Sequence, residues 1–492
     1  MSFRNKILSK LKVILIAFAV LVSACSPTDK PVYLLPENDP VEEILATSTP
    51  FPTRPVYEPG TLVDYVAQSG DTLKSLAARF NTSVEEIREA NPIIPDDATT
   101  MPPGMPMQIP IYYRSLWGTD YQIIPDSAFV NGPDSIDFDI GEFLTNTSGW
   151  FKNYTTYTSN GRLNAAGVID WVSINFSVSP QLLIALVEYQ TGALTNPIRD
   201  TDAEKSFMGF DIEKNKGVYM QISYVANMLN DYYYRYRRGE ITGFEHIDGR
   251  LENIDPWQNA GTAALHLYFS RFLDGEQFLR AIGPDGFIHV YKNLFGDPWV
   301  EAYPHIPGSL VQPDFVLPFE PGTTWAYTGG PHTGWGNLAP WSAIDFAPPV
   351  GTSGCVETDE YATAVAAGIV ARTDPGIVVL DLDGDGDERT GWVVFYLHIA
   401  TKDRVLVGTI LNTGDRIGHP SCEGGTSSGT HIHIARKFNG EWIEADSIIP
   451  FKLSGWVAKA GTDPYSGTLV KDGKLVIANI NPGSASMISS EN

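Results

Sequence analysis

The run Gly429-Thr430-His431-Ile432-His433-Ile434 constrains this chain more than any other segment. It reads as a strand, and the two-residue period of a strand puts His431 and His433 on one face, with Ile432 and Ile434 on the other. Two imidazoles on one strand face can converge on one metal site. A third histidine closes the apolar strand Val393-Val394-Phe395-Tyr396-Leu397-His398. Asp345 stands among small and apolar neighbours in Ser342–Pro348. The short apolar run Val365–Val370 follows, and Gly414-Asp415-Arg416-Ile417-Gly418 forms a turn. His419, in Gly418-His419-Pro420, fits no role and reads as a loop residue.

The rest of the chain must be organised around that constellation. A length of 492 residues gives room for two to four domains, and a 43% hydrophobic fraction is ample for packed cores. The formal charge of −24 excludes nucleic acid as a partner and argues against electrostatic docking onto anionic lipid. Three cysteines exclude a disulfide-dense scaffold and any cysteine-rich zinc finger.

Residues 1–24 carry Arg4, Lys6, Lys10 and Lys12, then the apolar run Val13–Val22, with no acidic residue. This run is too short to span a bilayer stably and reads as a secretory signal. It ends in Val22-Ser23-Ala24-Cys25, which resembles the lipobox of bacterial lipoproteins. That resemblance implies cleavage before Cys25, a diacylglycerol on its sulfur, and anchoring to a bacterial membrane facing the cell wall. Residues 25–60 then form a Pro-rich tether, which at polyproline II rise reaches on the order of 100 Å.

Residues 61–112 read as a small β-α-α-β module. Leu62–Val66 is strand-like, Leu73, Leu76, Ala77 and Phe80 recur at helical spacing, and Ser83 to Glu86 fits a capping box for a second helix. Gly70-Asp71-Thr72-Leu73, Ile87, Asn91, and Gly104 followed by Gln108-Ile109-Pro110 resemble a LysM module. The resemblance implies binding of N-acetylglucosamine-containing glycan, mainly peptidoglycan.

Residues 113–310 carry three apolar helical stripes: Leu182 to Val187, Tyr219 to Tyr232, and Ala264 to Leu273. The stretch from Val178-Ser179-Pro180 to Glu188-Tyr189-Gln190-Thr191-Gly192 resembles the acid-bearing helix of lysozyme-like transglycosylases. That family needs a protonated carboxylic acid, but the matching position is Gln190, which has no proton to give. Glu188 lies two residues away, about 200° around the helix. The domain is therefore read as non-catalytic, a glycan-binding or spacer unit, with a glycosidase acting through Glu188 as the rival.

Across residues 311–460 the histidine pattern resembles lysostaphin- or LytM-type zinc endopeptidases. The resemblance implies a mostly antiparallel all-β domain with one Zn²⁺ held by His332, Asp345 and His433, and His398 and His431 as catalytic histidines. The commoner form spaces the first His and the Asp four apart, whereas here the gap is 13. The lead Thr328-Gly329-Gly330-Pro331-His332 is similar to the β-lytic branch, which has such a gap. Cys355 and Cys422 flank the site, and with Cys25 lipidated they are left to pair in an oxidising compartment or to stay buried free thiols. Asp381, Asp383, Asp385 and Asp387 partly match a calcium loop, but Trp392 stands where its closing Glu belongs, so a hairpin turn of solvated carboxylates is the first reading and calcium the second. Residues 461–492 are expected to add a β-hairpin and tail.

The expected whole is a multidomain α+β, lipid-anchored, wall-bound zinc endopeptidase with peptidoglycan as partner and no nucleic acid. A non-enzymatic LysM/LytM-type regulator of other wall hydrolases is the alternative from another class.

Overall fold

The computed structural model describes residues 54–491 apart from 159–160, 202, 212–215 and 352. The leader, Cys25 and most of the tether lie outside the described residues. No helix among the described residues is long and apolar enough to cross a membrane.

Near the N-terminus, strand Thr61–Val66 pairs antiparallel with Pro106–Ile111, and helices Leu73–Phe80 and Val84–Ala90 lie between them in sequence. Both helices start where reciprocal capping satisfies their free N–H groups: Thr72 with Ser75, and Ser83 with Glu86. The first ends at Asn81 in the left-handed conformation that short polar residues tolerate. Leu76, Phe80, Ile87 and Ile109 are fully buried. Inside this small core Arg79 pairs with Asp71 at 2.8 Å, and its guanidinium also donates to the Pro256 carbonyl, which ties the module to the next domain.

The helical domain follows. Helix Pro180–Thr191 begins with Pro at its first turn, where the missing N–H costs nothing, and stops at left-handed Gly192. Helix Val218–Arg237 buries Ile222, Val225, Leu229 and Tyr233 along one side. The third stripe is shorter than its apolar pattern: the helix ends at Ser270, and Phe272 and Leu273 pack onto the core from the turn beyond it.

The C-terminal part is a large antiparallel sheet. Its strands run across the sheet in the order Ile410–Leu411, Gly368–Asp374, Gly376–Asp381, Trp392–Ile399, Ile432–Phe438, Ala343–Ala347, Thr324–His332 and Met487–Ser489. The short strand Glu441–Trp442 pairs with Ile432–Phe438. A four-stranded meander, Lys452–Leu453 to Lys474–Ile477, packs beside it.

Alternation sorts the apolar residues of the large sheet into two cores. Val378, Leu380, Val394, Tyr396, Ile432 and Ile434 join one core with Phe315 and Leu317. Ile377, Val379, Val393, Phe395 and Ala435 join the other, which is continuous with the helical domain. One apolar core thus runs across the 310/311 junction, and the helical domain covers the sheet face from which Asp345 and His433 project.

Candidate metal centre

Neighbouring strands bring the five expected residues together. Asp345 lies opposite His433 on one side and opposite Gly329 on the other. His332 reaches its pairing with Ala343 only after two register shifts, and such irregularities re-aim side chains. Leu397 pairs with His433, so simple alternation would send His398 to the opposite face. Its backbone instead takes a φ of +66°, a region non-glycine residues rarely enter and one found at functional sites. The ring consequently comes to lie 4.5 Å from that of His431 and 6.4 Å from that of His433, centroid to centroid.

Three atoms define the centre. His332 Nε2 lies 3.0 Å from His433 Nδ1, and each lies 3.3 Å from Asp345 Oδ1. The other nitrogen of each ring is engaged: His332 Nδ1 donates to the Gly330 carbonyl at 2.8 Å, and His433 Nε2 donates to the Gly334 carbonyl at 3.0 Å. These bonds fix the tautomers, so the two facing nitrogens present lone pairs to each other and to the carboxylate. Asp345 Oδ1 is buried and receives no hydrogen bond. Three converging electron pairs repel one another unless a cation sits among them. Donors about 2.0–2.1 Å from a tetrahedral zinc lie about 3.3 Å apart, which matches the spacing. The donor set therefore fits Zn²⁺.

His398 and His431 are anchored in the same way. Each donates its Nδ1 proton to a backbone carbonyl at 2.8 Å, that of Glu423 and that of Gly429 respectively, which leaves Nε2 for the site. His431 Nε2 stands 3.9 Å from Asp345 Oδ2. Burial alone would raise the Asp345 pKa, but its interactions with the neighbouring histidines, His332 foremost, outweigh it and hold the carboxyl well below its ordinary range. Burial, with His431 and His433 adding to it, pushes His398 down to about 3, and burial lowers His433 too. Asp345 and His433 are thus held in the deprotonated forms that metal binding requires.

The 13-residue gap forms a loop clamped to the helical domain. Asn227 of helix Val218–Arg237 donates to Asn337 Oδ1 at 2.7 Å and accepts from Asn337 N at 3.1 Å, while Ala339 N donates to Asp231 Oδ1 at 3.3 Å. Gly336 is required there: its φ is +93°, and a Cβ would meet Asn227 Oδ1 at 2.2 Å. The Trp335 ring lies 6.2 Å from Trp171 and 6.0 Å from Phe395. This same loop supplies the Gly334 carbonyl that orients His433.

Tyr465, between two strands of the meander, is a site residue the sequence reading did not include. Its ring stacks on His332 at 4.0 Å, and the Gly330 N–H donates to its carbonyl at 2.7 Å. Nothing in the local pattern marks it, because the contact joins elements more than a hundred residues apart. Cys355 and Cys422 form a disulfide. Beside it, Thr430 bonds to Gly354 and Val356, and His431 N donates to the Ser421 carbonyl, so the crosslink holds the approach to His431.

Two other groups of residues have local roles. Glu188 accepts from Leu194 N at 2.7 Å and from Thr195 Oγ1 at 2.6 Å, closing the turn after its helix, and Gln190 donates to the Tyr268 hydroxyl. Asp381, Asp383 and Asp385 gather within 4.8 Å of one another. Asp387 leaves that set to clasp Arg389 at 2.6 and 2.8 Å, and Asp381 accepts the N–H groups of Asp383, Gly384 and Gly386.

Fold and site together give an antiparallel sheet whose neighbouring strands gather a His–Asp–His group able to hold a metal ion. Residues 65–110 match the family model for the LysM domain, and residues 122–308 match that for the LasA N-terminal domain. Protease LasA of Pseudomonas aeruginosa is 22% identical over 366 residues, which is 69% of this chain and 78% of that protein. Among solved structures, the M23 metalloprotease pseudoalterin from deep sea is 23% identical, with a TM-score of 0.29, covering 34% of this chain and 96% of that one. The catalytic domain of lysostaphin from Staphylococcus simulans is 21% identical, with a TM-score of 0.18, covering 25% and 89%. More narrowly, the chain carries a match to the LysM domain and one to the LasA N-terminal domain ahead of its sheet, and it is similar to Protease LasA.

Proposed function

We propose that the chain is an extracytoplasmic zinc endopeptidase that hydrolyses amide bonds in the stem peptides or cross-bridges of peptidoglycan. The observation that carries this is the convergence of His332 Nε2, Asp345 Oδ1 and His433 Nδ1, with both ring tautomers fixed by backbone carbonyls. Two imidazoles and one carboxylate would leave a bound zinc with net positive charge and an open coordination position. When bound, the ion supplies Lewis acidity, which polarises an amide carbonyl and makes water a nucleophile near neutral pH.

The remaining chemistry belongs to His398 and His431. Their Nε2 atoms face the site, where one takes the proton of the attacking water; the N–H so formed steadies the developing oxyanion before the proton passes to the leaving amine. The disulfide keeps the loops beside His431 in register for this role. The LysM module holds glycan, which keeps the peptidase at its substrate, and the helical domain acts as a spacer and as the wall of the site. Residues 1–24 export the chain, a lipid on Cys25 anchors it, and the tether to residue 60 sets its reach. Calcium at Asp381, Asp383 and Asp385 is a subsidiary reading.

Mass spectrometry of purified peptidoglycan digested by the full chain tests the proposal. New amine termini are expected. New reducing ends would mean a glycosidase, and no cleavage by zinc-loaded protein would mean a regulator.

A further inference from the structure

We propose that the Cys355–Cys422 disulfide is a redox latch on the two proton-carrying histidines: oxidised, it positions them for turnover, and reduction by a dithiol releases them while the metal ligands stay in place. The inference rests on the reading of His398 and His431 given above.

Both rings take their orientation from one loop. Residues 421–430 supply the Glu423 carbonyl that accepts from His398 Nδ1 and the Gly429 carbonyl that accepts from His431 Nδ1, each at 2.8 Å. The same loop grips the backbone of His398. Ser421 N and Oγ donate to the His398 carbonyl at 2.7 and 3.0 Å, and Glu423 N donates to Ser421 Oγ at 3.0 Å. A non-glycine residue at a φ of +66° keeps that conformation only where its surroundings impose it. The turn Ser421-Cys422-Glu423 imposes it, because it holds the carbonyl and the ring of His398 at once.

Residues 422–430 lie in no helix or strand, so their shape depends on what holds them. Three consecutive residues, Gly354-Cys355-Val356, hold both ends. At one end Cys355 is bonded to Cys422. At the other, Thr430 N donates to the Gly354 carbonyl at 3.1 Å, and Thr430 Oγ1 donates to the Val356 carbonyl at 2.6 Å and accepts from Val356 N at 2.8 Å. The two carbonyls that orient the rings lie between these clamps. The carbonyls that orient the metal ligands, those of Gly330 and Gly334, lie outside the loop. Opening the crosslink therefore acts on proton transfer and not on the metal set. Glu423 keeps its bonds from Thr401 N and Oγ1, so the loop loosens without being released.

The latch is reachable. Cys355 is exposed and Cys422 half-buried, which opens the bond to attack by a thiolate. A dithiol breaks the S–S bond in two exchange steps. Two electrons and two protons pass to Cys355 and Cys422, and the dithiol leaves as its own disulfide.

The test compares the full chain oxidised, reduced with a phosphine that is removed before assay, and reoxidised, with a soluble peptidoglycan peptide as substrate. Reduction is expected to lower kcat about tenfold, with KM and zinc content parental, and reoxidation to restore it. Thr430→Val keeps the disulfide and cuts the second clamp, so it should lower kcat comparably, while Thr430→Ser, which keeps the hydroxyl, should recover it. A merely structural crosslink would lower the melting temperature and leave kcat unchanged well below it. Should circular dichroism show that reduction unfolds the chain, the two Thr430 variants decide, and a parental kcat in Thr430→Val overturns the proposal. Zinc lost together with activity also overturns it. An oxidised parent that cleaves nothing overturns the peptidase reading and this inference with it, whereas an active parent indifferent to reduction overturns this inference alone.

Discussion

At the scale of single residues, the site rests on which ring nitrogen faces inward. The alternation at His431 and His433 was legible in the sequence, because strand period decides their side, whereas Asp345 was picked out only by the resemblance to LytM-type enzymes. The direction of His398 was not legible, because it depends on a left-handed backbone at one position. Nor was Tyr465, whose stacking on His332 arises only when the meander folds back. The tautomers separate ligands from proton carriers, and that division is measurable. Asp345→Ala or His433→Ala removes one of three converging donors, so zinc content and activity should fall together. His398→Ala or His431→Ala leaves the three donors in place: zinc should stay near one per chain while turnover drops roughly 10²–10⁴-fold. His332→Ala belongs with the first pair, and retention of full zinc in that variant would show that another group supplies the ligand.

At the scale of elements, the loop 333–342 carries a contact that spacing alone could not reveal. From sequence, the interval of 13 between His332 and Asp345 is a departure from the commoner pattern. In the structure it is the length that lets Asn337 and Ala339 reach Asn227 and Asp231 while Gly334 still faces His433. The helices themselves were legible from their apolar stripes, as was the Ser83–Glu86 cap of the LysM module, whereas the Thr72–Ser75 cap was not read. The partner surface of the helices was not legible, since an amphipathic stripe says that a face is buried and not against what. Supporting hydrogen bonds around metal ligands are worth 10–100-fold in metal affinity, so Asn227→Ala should weaken zinc binding by roughly that factor. Far-ultraviolet circular dichroism should be unchanged, because only the loop clamp is lost. Parental zinc affinity in Asn227→Ala would show that the loop holds its shape without the helix.

At the scale of the whole molecule, one carboxylate joins the sheet to the helical domain and to the segment that follows it. Glu441 Oε2, on the short strand beside Ile432–Phe438, takes bonds from Tyr233 at 2.8 Å, Arg237 at 3.1 Å and His305 at 2.7 Å. Arg237 also pairs with Asp126 at 3.2 Å. Burial alone would raise the Glu441 pKa, but Arg237 and His305 overcome it and hold the carboxyl down at about 2. A group depressed in the folded state contributes stability that is present above its unfolded value, near 4.5, and is lost as pH falls through about 2. From that shift the contribution is on the order of 3 kcal/mol. Glu444, which burial raises to about 8, acts in the opposite sense: its contribution is complete below about 4.5 and is lost as pH rises through 8. Chemical denaturation followed from pH 7 to pH 2 should therefore show the parent weakening below pH 4.5. Glu441→Gln starts less stable at pH 7, because the buried Arg237 charge keeps only Asp126 of its two carboxylate partners. It should then lose about 3 kcal/mol less than the parent between pH 4.5 and pH 2. An acid limb of equal size in parent and variant would place the coupling between the helical domain and the sheet elsewhere than at Glu441.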